Sequence, residues 1–367
     1  MAKGKRWHPS QESDEIVFGI CDRFLGKGAG KVSLPAILDW LRRDMERKDL
    51  TRERVYPLVR EAVRRGFVLL QPPREQYLAQ RLADAYGLKE YKEDTDRIQV
   101  VNIRGREAAQ HVAEIGGDLL YSLVMDLAKQ KPKDEGVHIG LGGGFAAMVV
   151  ARRLAQRLYS EVGCPKLVLH ALSAGSFLMD EPQKAPITYV SYFQDALVEV
   201  EYISLHSETV VRRDEDYEKV KANPGVRRSF KRAKDIDIVV TSLAVAGHEH
   251  GLLLKYLKTL IEEGTIEKDA LSRMQAAGWR GDVQFRPYTS QGPMIEECPV
   301  RAVTLFELSD LVQMVQTPGK SVILLGGPCG NCGETKTEAL RPLLETPDLR
   351  LWTHLLTDVQ TARELLE

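Results

Sequence analysis

The chain predicts an α/β protein in two parts, a winged helix-turn-helix followed by a larger doubly wound parallel sheet. Three observations predict it. A basic amphipathic segment, LTRERVYPLVREAVRRGFVLL at 50–70, runs straight into a short apolar stretch. From about Ile98 onward, strand-like apolar runs alternate with helical ones, the pattern of a parallel sheet covered on both faces. Within that region VHIGLGGGFAAMVVARRLAQRL, at 137–158, leads a buried strand through a glycine run into the start of a helix.

Taken in order, residues 1–13 read as a polar arm. Asp14 to about Gly26 forms a first helix with Ile16, Val17, Ile20, Phe24 and Leu25 inward, and Ser33 caps a second helix over Leu34–Asp44. A third helix spans 51–65, with Thr51 as its cap and Gly66 as its stop. Its inward positions are Val55, Leu58 or Val59, Ala62 and Val63. Phe67–Leu70 is apolar enough to be the wing strand. The outward face carries Arg52, Arg54, Tyr56, Arg60 and Arg64, residue types that meet phosphates and base edges, and Arg52, Arg54, Tyr56 and Arg60, with Thr51 at the helix start, are the candidate DNA-contacting residues. A solvated charged face is the plainer account of the same pattern. Pro57 falls six positions into this helix and predicts a kink there.

Pro72 and Pro73 close the first domain, 14–73. A linker helix, Arg74–Tyr86, occupies the 74–97 segment, and the second domain covers 98–367. Strands are expected at Val137–Leu141, Lys166–Leu172, Ile236–Thr241, Asp282–Phe285, Val300–Thr304 and Ser321–Leu325. Helices are expected at Glu107–Lys129, Phe145–Ser160, Gly251–Glu263, Leu305–Val315 and Thr335–Leu344. Lys184–Val200 carries no assignment.

With 367 residues and 43% hydrophobic content the chain can bury a large core, and its length suits two domains. Net charge is −1, unevenly placed: residues 1–74 hold 16 Lys and Arg against 10 Asp and Glu, a surplus of +6 that leaves −7 for the remainder. The basic end coincides with the candidate DNA-contacting helix. The start MAKGKRWHPSQESDE lacks the apolar core of a secretory leader, and no run approaches the ~20 apolar residues of a membrane span. A cytoplasmic protein with no membrane partner is expected. Five cysteines, an odd number, read as free thiols in a reducing compartment.

Chemistry is expected where the strands end. Gly142, Gly143 and Gly144 let backbone N–H groups and a helix N-terminus approach an anion, although no Gly-Lys-Ser/Thr follows as in a P-loop. A tight turn that needs glycine for geometry alone is the competing account. Other strand ends bring Ser173, Gly175 and Ser176, Thr241 and Ser242, and Gly326-Gly327-Pro328 toward the same edge, with Lys336 opening the last of these helices as a partner for phosphate. Cys329-x-x-Cys332 and His248-x-His250 make a Cys2His2 zinc site conceivable, with a redox-active cysteine pair as a further alternative, but half a zinc site in each loop is not a metal assignment, and no cofactor is expected. No acyl-transfer nucleophile is evident, since Ala174-Gly175-Ser176 lacks the G-x-S-x-G elbow.

Seven segments, in order and at matching separations, resemble the SorC-type (SorC/DeoR) sugar-binding transcriptional regulators of bacteria: LTRERVYPLVREAVRRGFV, EQYLAQRLADAYGLKE, IGLGGG, ANPGVRRSFKRAKDIDIVV, GWRGDVQF, VILLGGP with KTEAL after it, and LLTDVQTARELL. The resemblance covers about 14–367. It implies a winged helix that reads operator DNA, and a second domain similar to sugar-phosphate isomerases and deaminases that senses a phosphorylated sugar and does not transform it. It implies an effector site built from Gly142, Gly143, Gly144, the Ser173–Gly175 region, Asp237, Asp282 and Lys336, and assembly as a dimer or tetramer. Two departures stand out. Phe145 and Ala146 follow the glycine turn where the family has hydroxyl residues, and CGNCGET is an insertion before Lys336. An isomerase or deaminase of the same fold, and a regulator with a degenerate, metal-sensing or redox-sensing site, are the alternative readings.

Overall fold

The computed structural model describes residues 7–26, 32–88, 97–132, 135–159, 161, 163–174, 181–194 and 196–367. The chain divides into two compact units, Met1–Gln71 and Pro72–Glu367.

Among the described residues the first unit has three α-helices, α1 (Asp14–Leu25), α2 (Leu34–Arg43) and α3 (Arg52–Arg64), after a 3-10 turn at Pro9–Gln11. The Ser13 and Ser33 hydroxyls accept from Ile16 N–H and Ala36 N–H, each at 3.4 Å, and so set where α1 and α2 begin. Ile16, Val17, Ile20, Ile37, Leu41, Leu50, Val55, Leu58 and Ala62 are buried together. Val63, expected inward, is 37% exposed, because Leu58 and Ala62 already fill that stripe of α3. The helix runs through Pro57 as one element, the burial of Val55 and Leu58 on either side offsetting the lost hydrogen bond. A charged rim surrounds this core: buried Glu61 pairs with Arg64 and Arg65, and buried Glu12 accepts from Trp7 Nε1 and pairs with Arg47.

The expected wing strand does not form. Phe67 N–H donates to Ala62 O (2.9 Å) and Gly66 N–H to Val63 O (3.1 Å), a double closure of α3 with Gly66 at φ +79°. Five residues later the prolines begin, and among the described residues of this unit there is no strand for Phe67–Leu70 to pair with.

The second unit contains α4 (Gln76–Ala85), β1 (Ile98–Val101), α5 (Glu107–Ala128), β2 (Val137–Leu141), α6 (Phe145–Leu158), β3 (Leu167–Ala171), β4 (Val200–Ile203), β5 (Val210–Val211), α7 (Asp214–Ala222), α8 (Pro224–Arg232), β6 (Ile238–Val245), α9 (Leu252–Glu262), α10 (Ala270–Ala276), β7 (Gly281–Val283), β8 (Arg286–Tyr288), β9 (Arg301–Ala302), α11 (Leu308–Val315), β10 (Ser321–Leu325), α12 (Thr337–Glu345), β11 (His354–Asp358) and α13 (Val359–Leu365). The sheet order is β1-β11-β10-β6-β2-β3-β4, parallel throughout, and the β7–β8 hairpin adds antiparallel to the far end of β6. Apolar cores cover both faces: α5 and α6 pack on one, and α4, α11, α12 and α13 on the other. This is the mixed, mostly parallel α/β class that alternating strands and helices imply.

Gly116 and Gly117 let α5 lie close to its neighbours. A Cβ at Gly117 would stand 2.5 Å from Arg153 Cβ, and one at Gly116 2.7 Å from Leu325 Cδ2. Beside them Asp118 and Arg153 form a bidentate buried pair at 2.8–2.9 Å.

Several expected segments behave differently. Val300–Thr304 supplies only two strand residues, Arg301 and Ala302, which pair with β5 away from the main sheet. Asp282–Phe285 is not a central strand: β7 ends at Val283, and Gln284 and Phe285 form the hairpin turn. Lys184–Val200 holds 3-10 turns at Pro182–Lys184 and Pro186–Phe193. The helix expected as a linker is part of the second unit. Glu75 N–H donates to Val100 O (2.8 Å), Tyr86 Oη donates to Leu365 O (2.7 Å), and Leu78, Leu82 and Leu88 are buried in its core. No described helix is long and apolar enough to cross a membrane.

Candidate functional site

Strand order reverses between β2 and β6: β3 and β4 lie to one side of β2, while β6, β10, β11 and β1 follow on the other. Open α/β sheets bind ligands outside the carboxyl ends of the strands at such a switch point. There a cavity of about 210 Å³ opens, lined by the turn after β2, the end of β6, the β7–β8 turn and the loop after β10.

Gly143 and Gly144 line it. Gly142 does not. Its N–H donates to Val240 O (2.9 Å), which ties the turn to β6, and Gly144 N–H donates to Lys184 O (2.9 Å). The picture of three glycine amides converging on one anion is therefore corrected: two are committed within the protein, and the first turn of α6 faces the cavity through Gly143, Phe145 and Ala146. Ser173 lies behind this turn. Its Oγ is buried, has no hydrogen-bond partner among the described residues, and sits 3.4 Å from where a Gly143 Cβ would be. Gly175 and Ser176 fall outside the described residues.

Asp237 is not at this edge. It precedes β6, whereas the cavity lies along the far half of that strand from Thr241 onward, roughly 13–26 Å away for four to eight residues of extended chain. Its carboxylate accepts from Lys131 Nζ (2.7 Å) and His138 N–H (2.9 Å) and so ties β6 to β2 at the opposite edge.

Asp282 and Lys336 do meet the cavity. The Lys336 ammonium donates to Leu243 O (2.7 Å), and burial pushes its pKa down against the opposing pull of Cys329 and Asp282. Asp282, on β7, is buried, and desolvation pushes its carboxyl up to about 7, with Lys336 and the Phe285 N–H drawing it back. The wall therefore carries a cation and a carboxyl that titrates near neutrality. Thr241 and Ser242 add hydroxyl-bearing positions from β6.

Gln284, which sequence reasoning missed, stands out among the lining residues. It is 8% exposed, and neither its amide oxygen nor its amide nitrogen has a hydrogen-bond partner among the described residues. Gln284 and Phe285 have φ of +53° and +62°, the geometry of a two-residue hairpin turn that Asn-Gly ordinarily fills. Non-glycine residues held there carry a backbone cost of about 1–3 kcal/mol each, which accumulates at functional sites. No signal in the sequence marks Gln-Phe as a turn.

The CGNC loop forms the rim. Gly330 packs on the Phe145 ring, its Cβ position 3.6 Å from Phe145 Cδ1, so the inserted loop covers the apolar residue that follows the glycine turn. His248, from the loop after β6, places Nε2 3.3 Å from Cys332 Sγ and 2.9 Å from Glu334 Oε2. His250 lines the cavity beside it, ring centroids 5.4 Å apart.

In the first unit, Arg52 and Arg60 are exposed on α3 and Tyr56 is 48% exposed, edge-on to Phe24. Arg54 is engaged: its guanidinium lies over the Trp7 ring and 3.5 Å from Asp49. Thr51 precedes α3 without a side-chain capping bond, its hydroxyl turned to Glu53 at 3.4 Å.

No protein-family model and no curated protein matches the chain. Solved structures do. The full-length sorbitol operon regulator SorC from Klebsiella pneumoniae is 17% identical, with a TM-score of 0.59 over 97% of this chain and 100% of its own. A DeoR family transcriptional regulator from Listeria monocytogenes is 14% identical, with a TM-score of 0.54 over 79% of this chain and 98% of its own. A domain of a transcriptional repressor from Vibrio fischeri, provisionally assigned as sugar-binding, is 13% identical, with a TM-score of 0.53 over 80% and 98%. At such identities the likeness is one of architecture: this chain has the fold of the SorC- and DeoR-type regulators.

Proposed function

We propose that the chain is a DNA-binding transcriptional regulator, cytoplasmic and dimeric or tetrameric, whose hold on operator DNA is set by a phosphorylated sugar bound in the switch-point cavity. The observation that carries this reading is the cavity wall, where the Lys336 ammonium and the unpartnered Gln284 amide stand at the mouth of the glycine turn. A half-buried cation answers a phosphate, and a buried amide free to both donate and accept answers a sugar hydroxyl. The SorC regulator of Klebsiella, named for a sorbitol operon, shares the fold along 97% of this chain, α3 region included, which supports extending the reading to operator DNA. Arg52, Tyr56 and Arg60 would present α3 to DNA, with Thr51 and Arg54 at its start. Effector binding would alter subunit contacts and through them the spacing of recognition helices.

Fluorescence anisotropy on promoter-proximal DNA of its own gene, across salt concentrations and with a panel of phosphosugars, tests this. The Arg52→Ala/Arg60→Ala variant is expected to lose most DNA affinity and to flatten the salt slope by about 2. Lys336→Ala is expected to keep DNA binding but to need about 10–100-fold more phosphosugar for the same response. DNA affinity unchanged by the arginine substitutions, or no DNA binding at all, overturns the regulator reading.

One observation favours an enzyme of the same fold: Asp282, titrating near 7 against the cavity, suits proton transfer. Isomerisation or deamination of a phosphosugar by the protein, lost in Asp282→Asn, would establish that alternative.

A further inference from the structure

The CGNC loop folds tightly on itself. Cys329 N–H donates to Glu334 O and Gly333 N–H to Cys329 O, both at 2.8 Å, with Gly333 at φ +84° where only glycine sits without strain. This turn brings Cys329 and Cys332 against a residue 84 positions away from the second of them, His248. One ligand atom from each of the three lies within 4.8 Å of the others, and Glu334 Oε2 reaches the same imidazole nitrogen. Tetrahedral zinc with sulfur at about 2.3 Å and nitrogen at about 2.0 Å holds its donors roughly 3.3–3.8 Å apart, so His248, Cys329 and Cys332 need only a small contraction to close on an ion.

We propose that Cys329, Cys332 and His248 bind one Zn²⁺ per chain at the rim of the switch-point cavity, with the exposed Glu334 side chain swinging in as the fourth ligand. Two soft sulfurs and an imidazole select zinc over magnesium or calcium. Both thiols bind as thiolates and release their protons to solvent. Coordination through His248 Nε2 leaves the ring proton on Nδ1, so the His250 N–H contact to Nδ1, now 3.2 Å, opens on binding. His250 is then a neighbour of the site and not a ligand. A disulfide between the two cysteines would account for the short C-x-x-C turn, but not for the imidazole that meets them. The site does not depend on the regulator reading, since it is defined by donors and distances alone.

The full chain, reduced and stripped of metal, is titrated with Zn²⁺ against a chromophoric chelator, and separately with Co²⁺ as a spectroscopic stand-in. One equivalent should bind, and Co²⁺ should show the intense visible bands of a tetrahedral complex together with a thiolate charge-transfer band. Cys329→Ser, Cys332→Ser and His248→Ala should each weaken Zn²⁺ binding by more than about 100-fold, because even partners behind the ligands are worth about 10–100-fold. Glu334→Gln should weaken it by about 10-fold and keep the charge-transfer band. Cys164→Ser, at a cysteine outside the cluster, should change nothing. Circular dichroism checks that each variant folds, and the cobalt spectrum of the unaltered protein reports thiolate ligation without any substitution. Absence of binding by the reduced protein overturns the proposal. So does an octahedral cobalt spectrum, or zinc binding that survives Cys332→Ser and His248→Ala.

Discussion

At the scale of single residues, two buried titratable groups pull the pH dependence of stability in opposite directions. Burial pushes His170 down to about 3, so that imidazole stays neutral in the folded chain and its contribution is lost as pH falls below about 6.5. Asp282 is the reverse case. Its carboxyl is raised from 3.8 to about 7, so the folded state holds a proton that the unfolded chain has released. Its contribution is complete below pH 3.8 and disappears as pH rises through 7. Comparing Asp282→Asn with the unaltered protein cancels the histidine effect. The variant should match the parent at about pH 4 and exceed it increasingly in thermal stability as pH rises, by roughly 1–4 kcal/mol at pH 8. A stability difference independent of pH would show that Asp282 is not buried as its carboxyl. The sequence made Asp282 and Lys336 visible through their motifs. Gln284 was not visible, because its importance comes from a positive φ and an unpartnered amide, neither of which leaves a mark on residue type. Asp237 was misplaced for a related reason: an aspartate beside a strand looks the same whether it opens or closes that strand.

Among the elements, α5 shows how far packing outweighs intrinsic preference. Its two central glycines each cost about 1 kcal/mol of helix propensity relative to alanine. Gly117→Ala, favourable on propensity alone, is nonetheless expected to destabilise the second unit by about 1–3 kcal/mol in a urea melt. The added methyl would meet Arg153 Cβ at 2.5 Å, close to backbone that cannot yield, and would push on the buried Asp118–Arg153 pair. A gain in stability would mean that α5 and α6 are not held this closely. Elements with a periodic apolar stripe and a cap were legible to within a residue or two, as α1, α2, β2 and β10 show. The short strands were not. β9 has two strand residues, β5 likewise, and a wing strand over Phe67–Leu70 is read from apolar character that the structure uses to close a helix. Apolar character alone does not say whether a partner strand exists.

For the whole molecule, the dividing line between units matters for any fragment made from it. A boundary drawn by composition at about residue 90 would leave α4 behind, yet Leu78, Leu82 and Leu88 belong to the larger core. Residues 72–367 are therefore expected to fold alone with a cooperative thermal transition. Residues 90–367 should melt well below it, because burying each of those leucines is worth about 1.5–3 kcal/mol. Equal melting temperatures for the two fragments would show that α4 is dispensable. The α/β class itself was legible from the alternation of strands and helices, since a doubly covered sheet needs that order. What alternation does not specify is which strand sits beside which.

That neighbour order has a consequence for the ribosome. β1 pairs on its inner side with β11, Ile98 opposite Leu355, and no earlier strand can take that place. Roughly 250 residues must be translated in between, which at about 5–20 residues per second leaves the apolar edge of β1 waiting on the order of 10–50 s. β10 likewise lacks one flank until β11 emerges. The nascent chain thus carries the exposed edge of β1 through most of its synthesis and that of β10 only briefly near its end, and a chaperone that binds extended apolar segments would find its client at Ile98–Val101.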